Sequence, residues 1–203
     1  MSLFKNPAHI VDTATGLLAD RLSALEKDVN HCLTKPYAPL PAIAYCFSTI
    51  DLMGALYKGE ASNSASTTSN SKSYMVDMMH YSSDQASIIQ KIFRHKIIHL
   101  STPKAIIKYQ GMLIGWKYNH QDRKEHLTLT KFPSTQHYMI DTRQGTILTI
   151  DYDYQFTIGI KDLQEDIVNS VVGKPGYLDA LSRSTTLQMN FEKALREIYD
   201  PAL

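Results

Sequence analysis

The residues of this 203-residue chain best suited to chemistry are crowded into Arg94-His95-Lys96-Ile97-Ile98-His99. Arginine keeps its charge at any physiological pH and grips a phosphate through two parallel hydrogen bonds. Histidine gains or loses a proton near neutrality. On a helix, His95 and His99 stand four apart and share a face, with Arg94 beside His95 and turned partly away. One permanent cation and two titrating groups within a turn and a half suit phosphodiester cleavage. A histidine moves the 2′-hydroxyl or leaving-group proton while the arginine holds the phosphate. That route needs neither metal nor organic cofactor, so none is expected.

Competing chemistries are poorly supported. Two histidines at i, i+4 are half of a zinc site, but Lys96 stands where an HExxH helix carries its glutamate. The chain has no CxxC pair, and His80 or Asp77 would have to arrive from elsewhere as a third ligand. GxxxxGK[ST], GxGxxG and GxSxG are absent. In a purely structural reading, Arg94 is an ion-pair partner and His99 a cation at a helix C-terminus, where positive charge is favoured.

Around the motif, Asp51 and Asp77 sit among apolar neighbours, where a carboxylate needs a partner. They are expected to support the site by orienting Arg94 or a histidine. Lys91, Lys96, Lys104 and Lys108 are expected to meet a nucleic-acid backbone. Tyr109, Trp116 and Tyr118 could stack bases, though such residues are more often sheet core. Met75, Met78 and Met79 are read as core filling.

The elements that must position these groups follow from periodicity. Asn6-Pro7 starts a helix whose apolar positions, Ile10 through Val29, recur at helical spacing to about Leu33. Three prolines from Pro36 to Pro41 break it, and a helix apolar nearly all round follows over 42–57. Residues 59–73 are Ser/Asn/Thr-rich and expected to form a mobile loop. A short Met-rich helix follows over 74–81, and the motif rides on a helix over 84–100, with Ser82-Ser83-Asp84 as cap candidates.

After Pro103 the period becomes that of strands. Leu148, Ile150, Tyr152, Tyr154, Phe156 and Ile158 alternate with polar residues, and Arg143-Gln144-Gly145 forms a hairpin turn before them. Helices close the chain over 161–172 and 177–199. The expected class is α+β: an N-terminal helical bundle, an antiparallel meander of about four strands, and C-terminal helices. The expected organisation is a bundle over 1–103, a sheet over 104–160, and helices over 161–203 packing back on the same core.

Charge sharpens this picture. From Lys91 to Lys131 there are nine basic residues against Asp122 and Glu125, and four of the eight histidines fall there, although the net charge is only +1. Such asymmetry points to an anionic partner. No signal or membrane segment is evident, and Cys32 and Cys46 form no disulfide framework. A cytoplasmic, reducing setting away from membranes is expected.

The motif resembles the Arg-x4–6-His signature of the HEPN superfamily, helical-bundle proteins many of which are metal-independent ribonucleases. The resemblance covers the helical part of the chain, and the polar His95 after Arg94 fits the family pattern. It implies that Arg94 and His99 are a catalytic pair assisted by His95, and that the active unit is a homodimer acting on RNA. The strand-rich region is not part of the family's minimal bundle. Two other classes fit the residues: a non-enzymatic module whose sheet engages a protein partner, and a regulator binding a small ligand or nucleotide.

Overall fold

Helix α1 (Pro7–Cys32) begins where Pro7 costs no hydrogen bond, and it buries one stripe, Ile10, Ala14, Leu18, Leu22, Leu25 and Val29. The computed structural model describes residues 7–62, 66–94, 103–142 and 145–199. Within it the chain divides into two compact units, Met1–Ala86 with Gln164–Leu203, and Ser87–Leu163. As expected, the class is α+β, with helices at both ends and four strands between.

The first unit is helical. Helix α2 (Pro39–Lys58) carries Pro39 and Pro41 in its first turn, where no helical N–H is required of them. It is the one helix among the described residues long and apolar enough to cross a membrane, and 56% of that window is buried inside the protein. Gly59 ends it in the left-handed conformation (φ 71°), donating its N–H to the Ala55 carbonyl. A side chain at Gly59 would lie 2.8 Å from the Asn190 backbone, so glycine is required twice over.

The stretch expected to be loop as far as Ser73 is helical from Thr67, in α3 (Thr67–Asp77). Its small residues serve close packing instead of mobility. A Cβ on Gly54 of α2 would sit 2.6 Å from the Ser71 backbone nitrogen, and Asn70 and Ser71 are buried. Helix α4 (Ser83–Ile89) follows.

At the far end of the chain, α5 (Ile160–Val172) agrees with the sequence reading. The single helix expected over 177–199 is two, α6 (Tyr177–Arg183) and α7 (Thr185–Tyr199). Ser184 between them is extended, and its hydroxyl accepts the Leu187 N–H at 3.3 Å. A run of hydroxyl residues caps a new helix more readily than it continues an old one.

The second unit holds strands β1 (Ile106–Tyr109), β2 (Met112–Asn119), β3 (Leu129–Thr142) and β4 (Gly145–Gly159). Gln110 and Gly111, both at positive φ, form the two-residue turn between β1 and β2. The sheet is not the expected meander. Its order is β1-β2-β4-β3, with β2 parallel to β4 from Ile114↔Tyr154 to Asn119↔Gly159. The 120–128 connection carries the chain past β4's place, so β3 takes the outer edge. At the end of β4 that β2 and β3 flank, Phe156, Thr157 and Ile158 are all buried, so both faces of the strand are covered there, unlike the half-buried strand that alternation predicts.

Candidate functional site

Helix α4 is started by a reciprocal cap. The Ser82 hydroxyl accepts the Gln85 N–H at 3.1 Å, while the Gln85 side-chain amide oxygen Oε1 accepts the Ser82 N–H at 2.8 Å. The helix then widens into a π-turn, Gln90–Arg94. Such a turn costs hydrogen-bond quality and rotates the following residues relative to an α-helical course, and it recurs at functional sites. Ile92 and Phe93 anchor it in the core, with the Phe93 ring edge-on to Trp116 at 4.8 Å. Trp116 donates its indole N–H to the Lys104 carbonyl at 2.8 Å, and Lys104 N–H reaches the Ile92 carbonyl at 3.0 Å. Trp116 is therefore half-buried packing, as the core reading of that aromatic expects.

At the start of the π-turn, Gln90 is only 5% exposed, and neither oxygen nor nitrogen of its carboxamide has a hydrogen-bond partner. Burying such a group unpaired costs about 1–3 kcal/mol. Nothing in the periodicity of 84–100 signals it.

The backbone of Arg94 closes the π-turn. The Arg94 side chain and all of His95, Lys96 and His99 lie outside the described residues. Lys91, Lys104 and Lys108 are exposed within the sheet unit. The two acids expected to support the site belong to the helical unit. Asp51 accepts a hydrogen bond from the Ser71 hydroxyl. Asp77 is exposed and accepts the Tyr57 hydroxyl at 3.0 Å. Partial burial, then the bond and charge of Asp77, raise the Tyr57 pKa above its ordinary value.

A second polar cluster in the sheet unit escapes sequence reading. Asp162, in the first turn of α5, is fully buried. One carboxylate oxygen accepts the Asp122 N–H at 2.8 Å, and the other lies 3.2 Å from Arg123 Nε without hydrogen-bond geometry. Arg123 also donates to the Asp162 carbonyl at 3.3 Å. Buried His126 accepts the Gly159 N–H through Nδ1 at 3.0 Å, which requires an unprotonated Nδ1. A Cβ at Gly159 would lie 2.0 Å from an Asp162 oxygen and 3.0 Å from the Asn119 side-chain oxygen. The cluster fixes the 120–128 connection to the N-terminus of α5 and occupies Arg123. Lys117 is similarly engaged, 2.9 Å from Glu125. A first-turn acid after Gly159-Ile160-Lys161 is the sequence signal that could have found Asp162.

Among the described residues, no group of three His, Cys, Asp or Glu side chains is placed to hold a metal ion. The units differ in charge. The sheet unit has eleven basic and six acidic side chains, a formal +5, and the helical unit ten and fourteen, a formal −4. An α+β protein with a basic sheet unit and an acidic helical unit is thus what the fold defines. No family model, curated protein or solved structure matches the chain.

Proposed function

We propose that the protein binds RNA through its sheet unit and cleaves it without a metal, using Arg94 to hold the phosphate and His99, assisted by His95, to move protons. The observation that carries this reading is the partition of charge. The basic excess of +5 falls on the unit that also contains the Arg94–His99 motif and five of the eight histidines. Polyanion binding of this kind rests on lysine and arginine, and Lys91, Lys104 and Lys108 are exposed to supply it. The π-turn Gln90–Arg94 adds support, since such turns recur at functional sites.

In the proposed reaction, a histidine withdraws the 2′-hydroxyl proton as that oxygen bonds to the adjacent phosphorus. The bond to the 5′-oxygen breaks, and a protonated group returns a proton to it. The products are a 2′,3′-cyclic phosphate and a 5′-hydroxyl. Arg94 neutralises charge on the non-bridging oxygens. Two copies acting together and a cytoplasmic setting belong to the same proposal.

The test is incubation of a labelled mixed RNA with purified protein in EDTA, beside Arg94→Ala and His99→Ala variants shown to be folded. Cleavage by the parent, lost by about 100-fold or more in both variants, is expected. Salt-sensitive RNA binding without cleavage would reduce the motif to a binding role, and absence of both would remove the reading. A second reading, a protein-interaction module, draws on the exposed apolar side chains Tyr138, Met139 and Leu148 of β3 and β4.

A further inference from the structure

A cavity of about 290 Å³ lies wholly within the helical unit, between the end of α3 and the turn that follows α5. That volume stands at the small end of ligand pockets, roughly 300–1,000 Å³. Met78 and Met79 form its apolar side, and thioethers adapt their shape to what they cover. The polar side chains of the lining fall into two sets. One set is already engaged. Asp166 accepts the Tyr81 hydroxyl at 2.7 Å, while the Ser170 hydroxyl bonds the Tyr74 hydroxyl at 2.8 Å and donates to the Ile167 carbonyl. The other set is His80, Asn169 and Lys174, whose side chains make no hydrogen bond or ion pair among the described residues. All three can donate, and Lys174 can only donate.

His80 occupies a position that a helix end normally gives to glycine. It follows the last turn of α3 at φ 59°, in the left-handed region. A histidine there is strained, and strain of this kind is held at ligand sites. A cation is favoured just past a helix C-terminus, where His80 and Lys174 both stand. Neither donates to a helix carbonyl, so that role leaves their hydrogen-bonding capacity unused.

We infer that this cavity binds a small organic oxyanion, a carboxylate or phosphate monoester carried on a flat or aliphatic body. Lys174, Asn169 and His80 donate to its oxygens, and Met78 and Met79 cover the body. The sign of charge follows from which groups are free. Asp166, the one acid in the lining, already has a donor, so an amine would meet Lys174 and no unengaged carboxylate. The inference uses none of the motif residues and holds whether or not RNA is cleaved.

Two matched pairs of probes test it on the full chain: phenyl phosphate beside phenol, and benzoate beside benzyl alcohol. Each is titrated while methionine-methyl and backbone-amide NMR signals are followed. At least one anion shifts the Met78, Met79 and Asn169 signals saturably and binds about tenfold or more tighter than its neutral partner. The pair that responds tells phosphate from carboxylate. Lys174→Glu, at an exposed site, weakens that binding about tenfold or more. His80→Gly weakens it too with no fall in melting temperature, because glycine adopts φ 59° without strain. Its loss of binding is therefore separable from loss of fold. Binding by neither anion, equal binding of anion and neutral partner, or anion binding unchanged in both variants overturns the proposal.

Discussion

The helical and sheet units treat buried polar groups differently. In the helical unit, buried groups are paired: Tyr74 with Ser170 at 2.8 Å, Tyr177 with the Leu56 carbonyl at 3.3 Å, and partly buried Tyr81 with Asp166 at 2.7 Å. Among the described residues, the buried side-chain atoms lacking hydrogen bonds belong to Gln90, Asn119 and Asp162, all in the sheet unit. Satisfied networks rigidify a core, while orphaned groups mark strain held against stability. The unit with the basic excess and the π-turn is therefore also the unit that has given up stability.

The largest change expected from testing that contrast is at Asp162. Asp162→Ala leaves the Asp122 N–H without its acceptor and Arg123 without its ion-pair partner and should lower unfolding free energy by about 1–3 kcal/mol. Denaturant unfolding measures it, and a neutral result would show that the cluster positions nothing. Next come two substitutions of opposite sign. Tyr74→Phe deletes a satisfied hydroxyl and should cost about 1 kcal/mol, whereas Gln90→Leu removes an unsatisfied carboxamide and should gain about 1 kcal/mol. Equal signs in paired thermal melts would break the comparison.

The smallest effect is acid-linked. Glu197 accepts backbone N–H bonds from Ala61 at 2.6 Å and Ser62 at 2.8 Å, which hold its pKa below the ordinary 4.5. A carboxylate depressed in the folded state contributes stability above its unfolded pKa and loses it as pH falls through the folded one. Glu197→Gln should flatten the fall in melting temperature below pH 4.5 and leave the neutral-pH slope unchanged.

How far these features were legible in the sequence depended on how local their causes are. Helix α1 was readable because its buried stripe is a property of consecutive turns. The cap at Ser82 was visible for the same reason, since its partner is three residues away. The place of β4 between β2 and β3 was not, because alternation reports which face is buried and not which strand lies alongside. Alternation also misjudged the first half of β4, where Leu148 obeys the pattern yet stands in solvent. Helix α3 was hidden by small polar residues that suit both a loop and a tight approach to Gly54. The motif was legible as residue types four and five apart, but its π-turn and orphaned Gln90 follow from tertiary packing that no periodicity records.

The division of the chain also sets an order in time. The sheet unit is one continuous stretch, whereas the helical unit is assembled from 1–86 and 164–203. Helix α2, the one described helix apolar enough to cross a membrane, packs on α1 and α3 and also on α7, where Asn190 donates to the Tyr57 carbonyl at 2.8 Å. A ribosome adding about 5–20 residues per second needs on the order of ten seconds to pass from the end of α2 to α7. Within that interval the sheet unit can complete itself, while α2 has α1 and α3 to pack on but not yet α7. The face of α2 that α7 covers is thus the last to close, an order imposed by the chain alone.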